Sequence, residues 1–253
     1  MVLVHGFSSC LLEFGDLPER LGDAGFAALA IDLRGHGLSG GERGRIGLER
    51  AMADIGAAAD FLRERLGRKA RLGVVGHSLG GAFALGTAAR STEFSCIVAA
   101  HPPDSIFDEL NPAERALYHA LGAIGKRRMH KGRAAGMFPR RPVYRHLFVD
   151  KEAARRAARQ RFLAESVNVG NYSFATTMRT TQWAAHLNVP VLGIQSDHDQ
   201  VVRPDHTEEV FRSLPGPVER LRHRGGHSCF LDLDRDLVGD GVIRFLRAHL
   251  ERA

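Results

Sequence analysis

The chain has 253 residues, 44% hydrophobic and 25% charged, a profile that excludes a disordered chain and fits one large globular domain or a domain with an insertion. No apolar run approaches the roughly 18 residues of a membrane-spanning helix, and the start lacks the basic region and cleavage site of a signal peptide, so a soluble cytoplasmic protein is the expectation. The net charge of +6 is too small to indicate a nucleic-acid partner, and three cysteines, Cys10, Cys96 and Cys229, fit neither a disulfide framework nor a zinc site and read as packing residues.

In chain order, Met1 to Val4 and Phe26 to Ile31 are short apolar runs ended by polar, glycine-containing loops, and both read as buried strands. Between Leu48 and Leu66, Leu48, Met52, Ile55, Ala59, Leu62 and Leu66 recur at intervals of three and four, which predicts an amphipathic helix. A strand follows at Leu72 to Val75, and Gly76-His77-Ser78-Leu79-Gly80-Gly81 then opens a helix of small residues. Phe94 to Ala100, Val189 to Gln195 and the more polar Val218 to Leu221 complete the strands, and the last helix runs from about Leu233 to Leu250. Apolar strands separated by helical patterns predict an α/β fold: a doubly wound, mostly parallel sheet with helices on both faces.

Residues 105–188 interrupt this rhythm. They hold helical character around Ala113 to Ile124 and Glu152 to Ser166 and no convincing strand, so they read as an insertion between a core of residues 1–104 and 189–253. The insertion carries 15 Lys and Arg against 6 Asp and Glu, or +9, which leaves −3 for the rest.

Gly76-His77-Ser78-Leu79-Gly80 lies between a predicted strand and a predicted helix, the setting of a nucleophile elbow in which the serine occupies a strained turn between glycines. A serine hydroxyl needs a base oriented by a carboxylate, and in this setting the chain order is Ser, acid, His. Asp199, after the strand Val189 to Gln195, is the chosen acid, with Asp197 and Asp104 as alternatives. His227, behind Gly225-Gly226, is the chosen base, with His223 as the competitor. The oxyanion donors are assigned to the backbone N–H groups of Leu79 and Phe7, and His5 to shaping the loop that carries Phe7.

Ser78, Asp199 and His227 in this order resemble the α/β-hydrolase family over nearly the whole chain. His5-Gly6-Phe7, the stretch Asp32-Leu33-Arg34-Gly35-His36-Gly37-Leu38-Ser39-Gly40-Gly41-Glu42-Arg43-Gly44 and the elbow resemble its monoacylglycerol lipase and lysophospholipase branch. The resemblance implies a serine hydrolase acting on acyl esters beneath a helical lid, residues 105–188, without cofactor or metal. It also implies that a first antiparallel strand pair is missing here: either the sequence starts inside a longer product, or the fold lacks those two strands and Phe26 to Ile31 becomes a sheet edge.

Gly35-His36-Gly37-Leu38-Ser39-Gly40 also matches a dinucleotide fingerprint, with Asp54 19 residues after Gly35. No helix opens within the glycines, and that reading is set aside. Lys126 to Arg133 and Met137 to Arg141 mix positive charge with Met and Phe. They read as a solvated basic lid surface with peripheral contact to an anionic membrane as the alternative.

Overall fold

A computed structural model of the chain describes residues 1–106, 109, 111–113, 115, 116, 120, 128–130, 144–160, 163, 166–168, 171, 178–216 and 218–251. Six strands form one parallel sheet: β1 (Val2–Val4), β2 (Leu29–Ile31), β3 (Leu72–His77), β4 (Phe94–Ala100), β7 (Val191–Gln195) and β8 (Val218–Arg222), in the order β2-β1-β3-β4-β7-β8. β1 lies between β2 and β3, with Val4 opposite both Ile31 and Gly76, and Ile97 of β4 is opposite Val191 of β7.

Successive side chains point to opposite faces of a strand, and here both faces are covered. Val2, Val4, Val74, Ile97 and Ala99 pack under α2 (Leu48–Leu66), α3 (Leu79–Arg90) and α7 (Pro204–Arg212). Leu3, Val75, Val98 and Ala100 pack under α1 (Leu17–Asp23) and α8 (Arg235–Leu250). Phe83 and Phe211 fill one layer and Phe14 and Phe245 the other, each fully buried side chain contributing about 1.5–3 kcal/mol. Burial on both faces is why the strands read as unbroken apolar runs. The outermost β8 has charged, exposed Glu219, Arg220 and Arg222 around buried Leu221, a composition that discourages edge pairing. β2 forms the opposite edge.

α3 tolerates its small residues because it lies so close to the sheet. A Cβ on Gly80 would collide with the carbonyl oxygens of Val4 and His5, and one on Gly76 with the backbone of Gly80 and Gly81.

Between β4 and β7 no described segment joins the main sheet. α5 (Lys151–Gln160), preceded by the short α4 (Tyr144–Leu147), matches the second helical stretch of the insertion but ends before Ser166. The first stretch falls largely outside the described residues. The expectation of no strand there is corrected: β5 (Arg128–His130) pairs antiparallel with β6 (Ser166–Asn168) in a separate two-stranded sheet. Three-residue strands are too short to leave an alternation in the sequence. The short helices α1 and α7 were also not anticipated; α6 (Thr180–Ala184) brings Trp183 against α3 at Gly86. Apart from β5, the basic stretches Lys126 to Arg133 and Met137 to Arg141 lie outside the described residues. No described helix is long and apolar enough to cross a membrane.

Candidate active site

Ser78 sits between the last residue of β3 and the first of α3 with φ 54° and ψ −124°, a left-handed backbone region that side chains rarely enter. The turn is held from outside. Ser78 N–H donates to Ala100 O of β4 at 2.7 Å, and the Ser78 carbonyl accepts Gly81 N–H at 2.9 Å. A Cβ on Gly6 would stand 2.9 Å from Ser78 Cβ, so the loop after β1 passes directly over the serine. That places Phe7 beside the elbow, while Leu79 opens α3, where helix N–H groups lack partners within the helix.

Asp199 and His227 meet in the loops after β7 and β8. His227 Nδ1 lies 2.7 Å from Asp199 Oδ2, and both side chains are almost wholly buried. Asp199 Oδ1 accepts the N–H groups of Val201 and Val202 at 2.8 and 3.0 Å, which fixes the carboxylate plane. Burial pushes the carboxyl up, but the imidazoles of His227 and His101 outweigh it and hold Asp199 well below the usual range. An ionised Asp199 leaves His227 with its proton on Nδ1 and Nε2 as an acceptor.

The profile of the family described as "Serine aminopeptidase, S33" matches residues 1–234. The chain belongs to this α/β-hydrolase family. It is 24% identical over 260 residues to a monoacylglycerol lipase of Mycolicibacterium smegmatis, covering 99% of this chain and 88% of that protein. It is 26% identical over 254 residues to an uncharacterized 31.7 kDa protein of Escherichia coli, covering 92% and 83%. The crystal structure of a monoacylglycerol lipase of Paleococcus ferrophilus has the same fold, with a TM-score of 0.80 at 24% identity over 98% of this chain and 93% of that one.

In this S33-family chain the alternatives to the chosen residues lie elsewhere. Asp197 is 71% exposed in its side chain and pairs with Arg222 at 2.7 Å. Asp104 accepts Thr181 N–H at 2.8 Å. His223 lies against His101, Nε2 to Nε2 at 2.8 Å, and its Nδ1 accepts Gly225 N–H at 3.1 Å. His5 Nε2 accepts Leu33 N–H at 3.1 Å, so its Nδ1–H donates to Gly6 O at 2.8 Å and the ring braces the loop under Phe7, as expected. Asp54, the residue a dinucleotide site needs, is bound by Arg34 through backbone N and guanidinium at 2.6 to 3.0 Å, and residues 40–47 stay non-helical until α2 begins.

Three buried polar residues were not anticipated. Glu13 Oε1 accepts Gly6 N–H at 2.6 Å and meets His77 Nδ1 at 3.1 Å, and His77 Nε2–H donates to the His227 carbonyl at 2.8 Å. The pair thus ties the loop after β1, the elbow and the loop that carries His227 into one unit. Burial opposes both charges, yet each partner's charge overrides it: His77 lies above its ordinary range and Glu13 below. His101, just past β4, is the third, with Nδ1 2.6 Å from Asp199 Oδ2. The only sequence signal for it was its place at the carboxyl end of a parallel strand, where such sheets build their sites.

His101, Asp199, His227, His223 and Cys229 offer clustered ligand atoms. The His101–Asp199, His227–Asp199 and His101–His223 separations are 2.6, 2.7 and 2.8 Å, whereas two nitrogens bound to one zinc at about 2.1 Å stand about 3.4 Å apart. These are hydrogen-bond distances. Cys229 is fully buried, and burial, with the charges of Glu13 and Asp199, raises its thiol well above the ordinary range; Cys10 and Cys96 are also free and buried.

Leu147, Val149 and Asp150, in the segment between β4 and β7, are fastened to the loop that carries His227. Ser228 N–H donates to Leu147 O at 2.9 Å. The buried Asp232 carboxylate accepts the N–H groups of Val149, Asp150 and Gly226 at 2.7, 2.9 and 2.6 Å.

Proposed function

We propose that the protein is a serine hydrolase that cleaves carboxylic esters of the monoacylglycerol or lysophospholipid kind through an acyl-enzyme. The observation that carries this reading is the buried His227–Asp199 pair, with the His227 carbonyl hydrogen-bonded to His77, the residue before the serine of the strained elbow. His227 Nε2 takes the Ser78 Oγ proton as Oγ bonds to the acyl carbon. The N–H groups of Phe7 and Leu79 receive the oxyanion. As the tetrahedral adduct collapses, His227 returns the proton to the departing alcohol. Water then repeats the sequence on the acyl-enzyme, releasing the carboxylic acid and restoring Ser78.

The likeness to proteins named monoacylglycerol lipase supports an acyl ester of glycerol as the substrate class. Residues 105–188 act as the lid. Anchorage at Leu147, Val149 and Asp150 beside His227 supports this, and the lid's positive charge suits an anionic lipid surface. A short p-nitrophenyl ester tests the chemistry: Ser78→Ala abolishes its turnover, and wild-type turnover in that variant would refute the assignment. Monoacylglycerols, lysophospholipids, acyl thioesters and aminoacyl anilides assayed side by side then fix the class, because a thioesterase, acyltransferase or aminopeptidase would use the same three residues.

A further inference from the structure

The acid of the proposed triad serves two histidines. Oδ2 of Asp199 lies 2.7 Å from His227 Nδ1 and 2.6 Å from His101 Nδ1, while Oδ1 is occupied by two backbone N–H groups. Behind His101, its Nε2 lies 2.8 Å from His223 Nε2, and His223 Nδ1 accepts Gly225 N–H at 3.1 Å.

These contacts fix every proton. A backbone N–H only donates, so His223 Nδ1 is bare. His223 is neutral, since burial and the neighbouring His101 push it down to about 3, and its one proton therefore sits on Nε2. That proton points at His101 Nε2, which must accept. Burial lowers His101 as well, so it too is neutral and carries its proton on Nδ1, facing Asp199. The series Gly225→His223→His101→Asp199 thus delivers a neutral N–H donor to the same oxygen that holds His227.

The fold strains itself to make this contact. His101 has φ 51°, outside the range that side chains prefer, although its N–H still donates to Ile194 O at 2.9 Å and continues the pairing with β7. Around it stand Asp199 after β7, His223 at the end of β8, His227 and Cys229 on the loop beyond, and the His77 ring 6.2 Å away with Glu13 behind it.

We propose that His101 is a positioning residue for the hydrolysis: its N–H draws charge from Asp199, so that His227 holds its catalytic proton less tightly and works as a base at lower pH. The proposal rests on the serine-hydrolase reading above. A carboxylate sharing its charge among four donors stabilises the His227 imidazolium less than one with three, because hydrogen bonding to an ion spends the same charge that would attract the proton.

The test is the pH dependence of fluorophosphonate labelling at Ser78 and of kcat/KM for a p-nitrophenyl ester. His101→Leu moves the acidic midpoint up by about one pH unit. His101→Asn, which puts an amide N–H near the place of Nδ1, returns it toward wild type. A midpoint that stays put in His101→Leu while the rate falls equally at every pH would overturn the proposal, since that is the mark of a structural role alone. Wild-type protein carrying ¹⁵N-labelled histidine gives a second readout without any variant: His101 as the neutral Nδ1–H form and His223 as the neutral Nε2–H form. A charged His101, or one protonated on Nε2 alone, would overturn it. Absence of labelling at Ser78 in folded wild-type protein would instead refute the underlying reading.

Discussion

Replacing Asp199 by Asn removes the acid while keeping its shape. The carboxylate accepts four N–H groups, two on each oxygen, and an amide offers only one accepting oxygen. With the amide oxygen kept on Val201 and Val202, its NH₂ faces the Nδ1–H groups of His227 and His101. The clash is relieved when His227 moves its proton to Nε2, and that proton then occupies the lone pair Ser78 needs. Loss of the correct tautomer costs about 10⁴-fold in kcat, or about 5.4 kcal/mol of barrier at 1.36 kcal/mol per decade. KM changes little, because the acid does not touch the substrate. Steady-state hydrolysis of a p-nitrophenyl ester measures this, at a temperature where a melting curve shows the variant folded. Asp197→Asn, altered at an exposed pair with Arg222, stays within about twofold, as a surface ion pair contributes little. A kcat for Asp199→Asn within tenfold of wild type would refute the assignment of the acid.

Glu13→Ala leaves the buried, charged His77 without its partner and lowers stability by about 3–5 kcal/mol, measurable by urea unfolding. Glu13 lies below its ordinary 4.5, so its contribution is present above that pH and fades as pH falls through the lowered value; His77 lies above its ordinary 6.5, so its contribution is present below that pH and fades as pH rises through the raised value. The gap between wild type and Glu13→Ala is therefore wider at pH 5.5 than at pH 9, and a gap that grows with pH would contradict the pairing. Gly80→Ala drives a methyl group into two carbonyl oxygens of the β1 end and costs more than about 3 kcal/mol, whereas Gly56→Ala, with open space around it on α2, gains about 0.4–1 kcal/mol; equal melting temperatures for the two variants would argue against the close packing of α3. Cys229 resists iodoacetamide in the native protein and reacts in urea, because its thiol is buried and held protonated; rapid native labelling would show an open site.

The main sheet was legible because its strands are buried on both faces: Phe94–Ala100 runs as seven residues with one polar interruption, and its ends coincide with the sequence reading. Leu48–Leu66 was equally plain, since one apolar stripe faces the sheet and charges face water. Ser78, Asp199 and His227 could be singled out as candidates because glycines and strand ends surround them and local backbone demands write themselves into local sequence. The residues that tie these loops together could not. Glu13 lies 64 positions from His77, and His101 lies 98 from Asp199 and 122 from His223. A buried polar contact between distant positions leaves no period or spacing to read. β5 and β6 were missed for a different reason, since three paired residues carry no alternation.

The central claim is that Ser78 is the nucleophile and His227 its base. Incubation of the folded protein with a fluorophosphonate probe, followed by peptide mapping, tests it in one measurement. A single adduct on Ser78 is expected in the wild type, and its loss in His227→Ala. An adduct on another residue, or no adduct on the folded wild type, would contradict it.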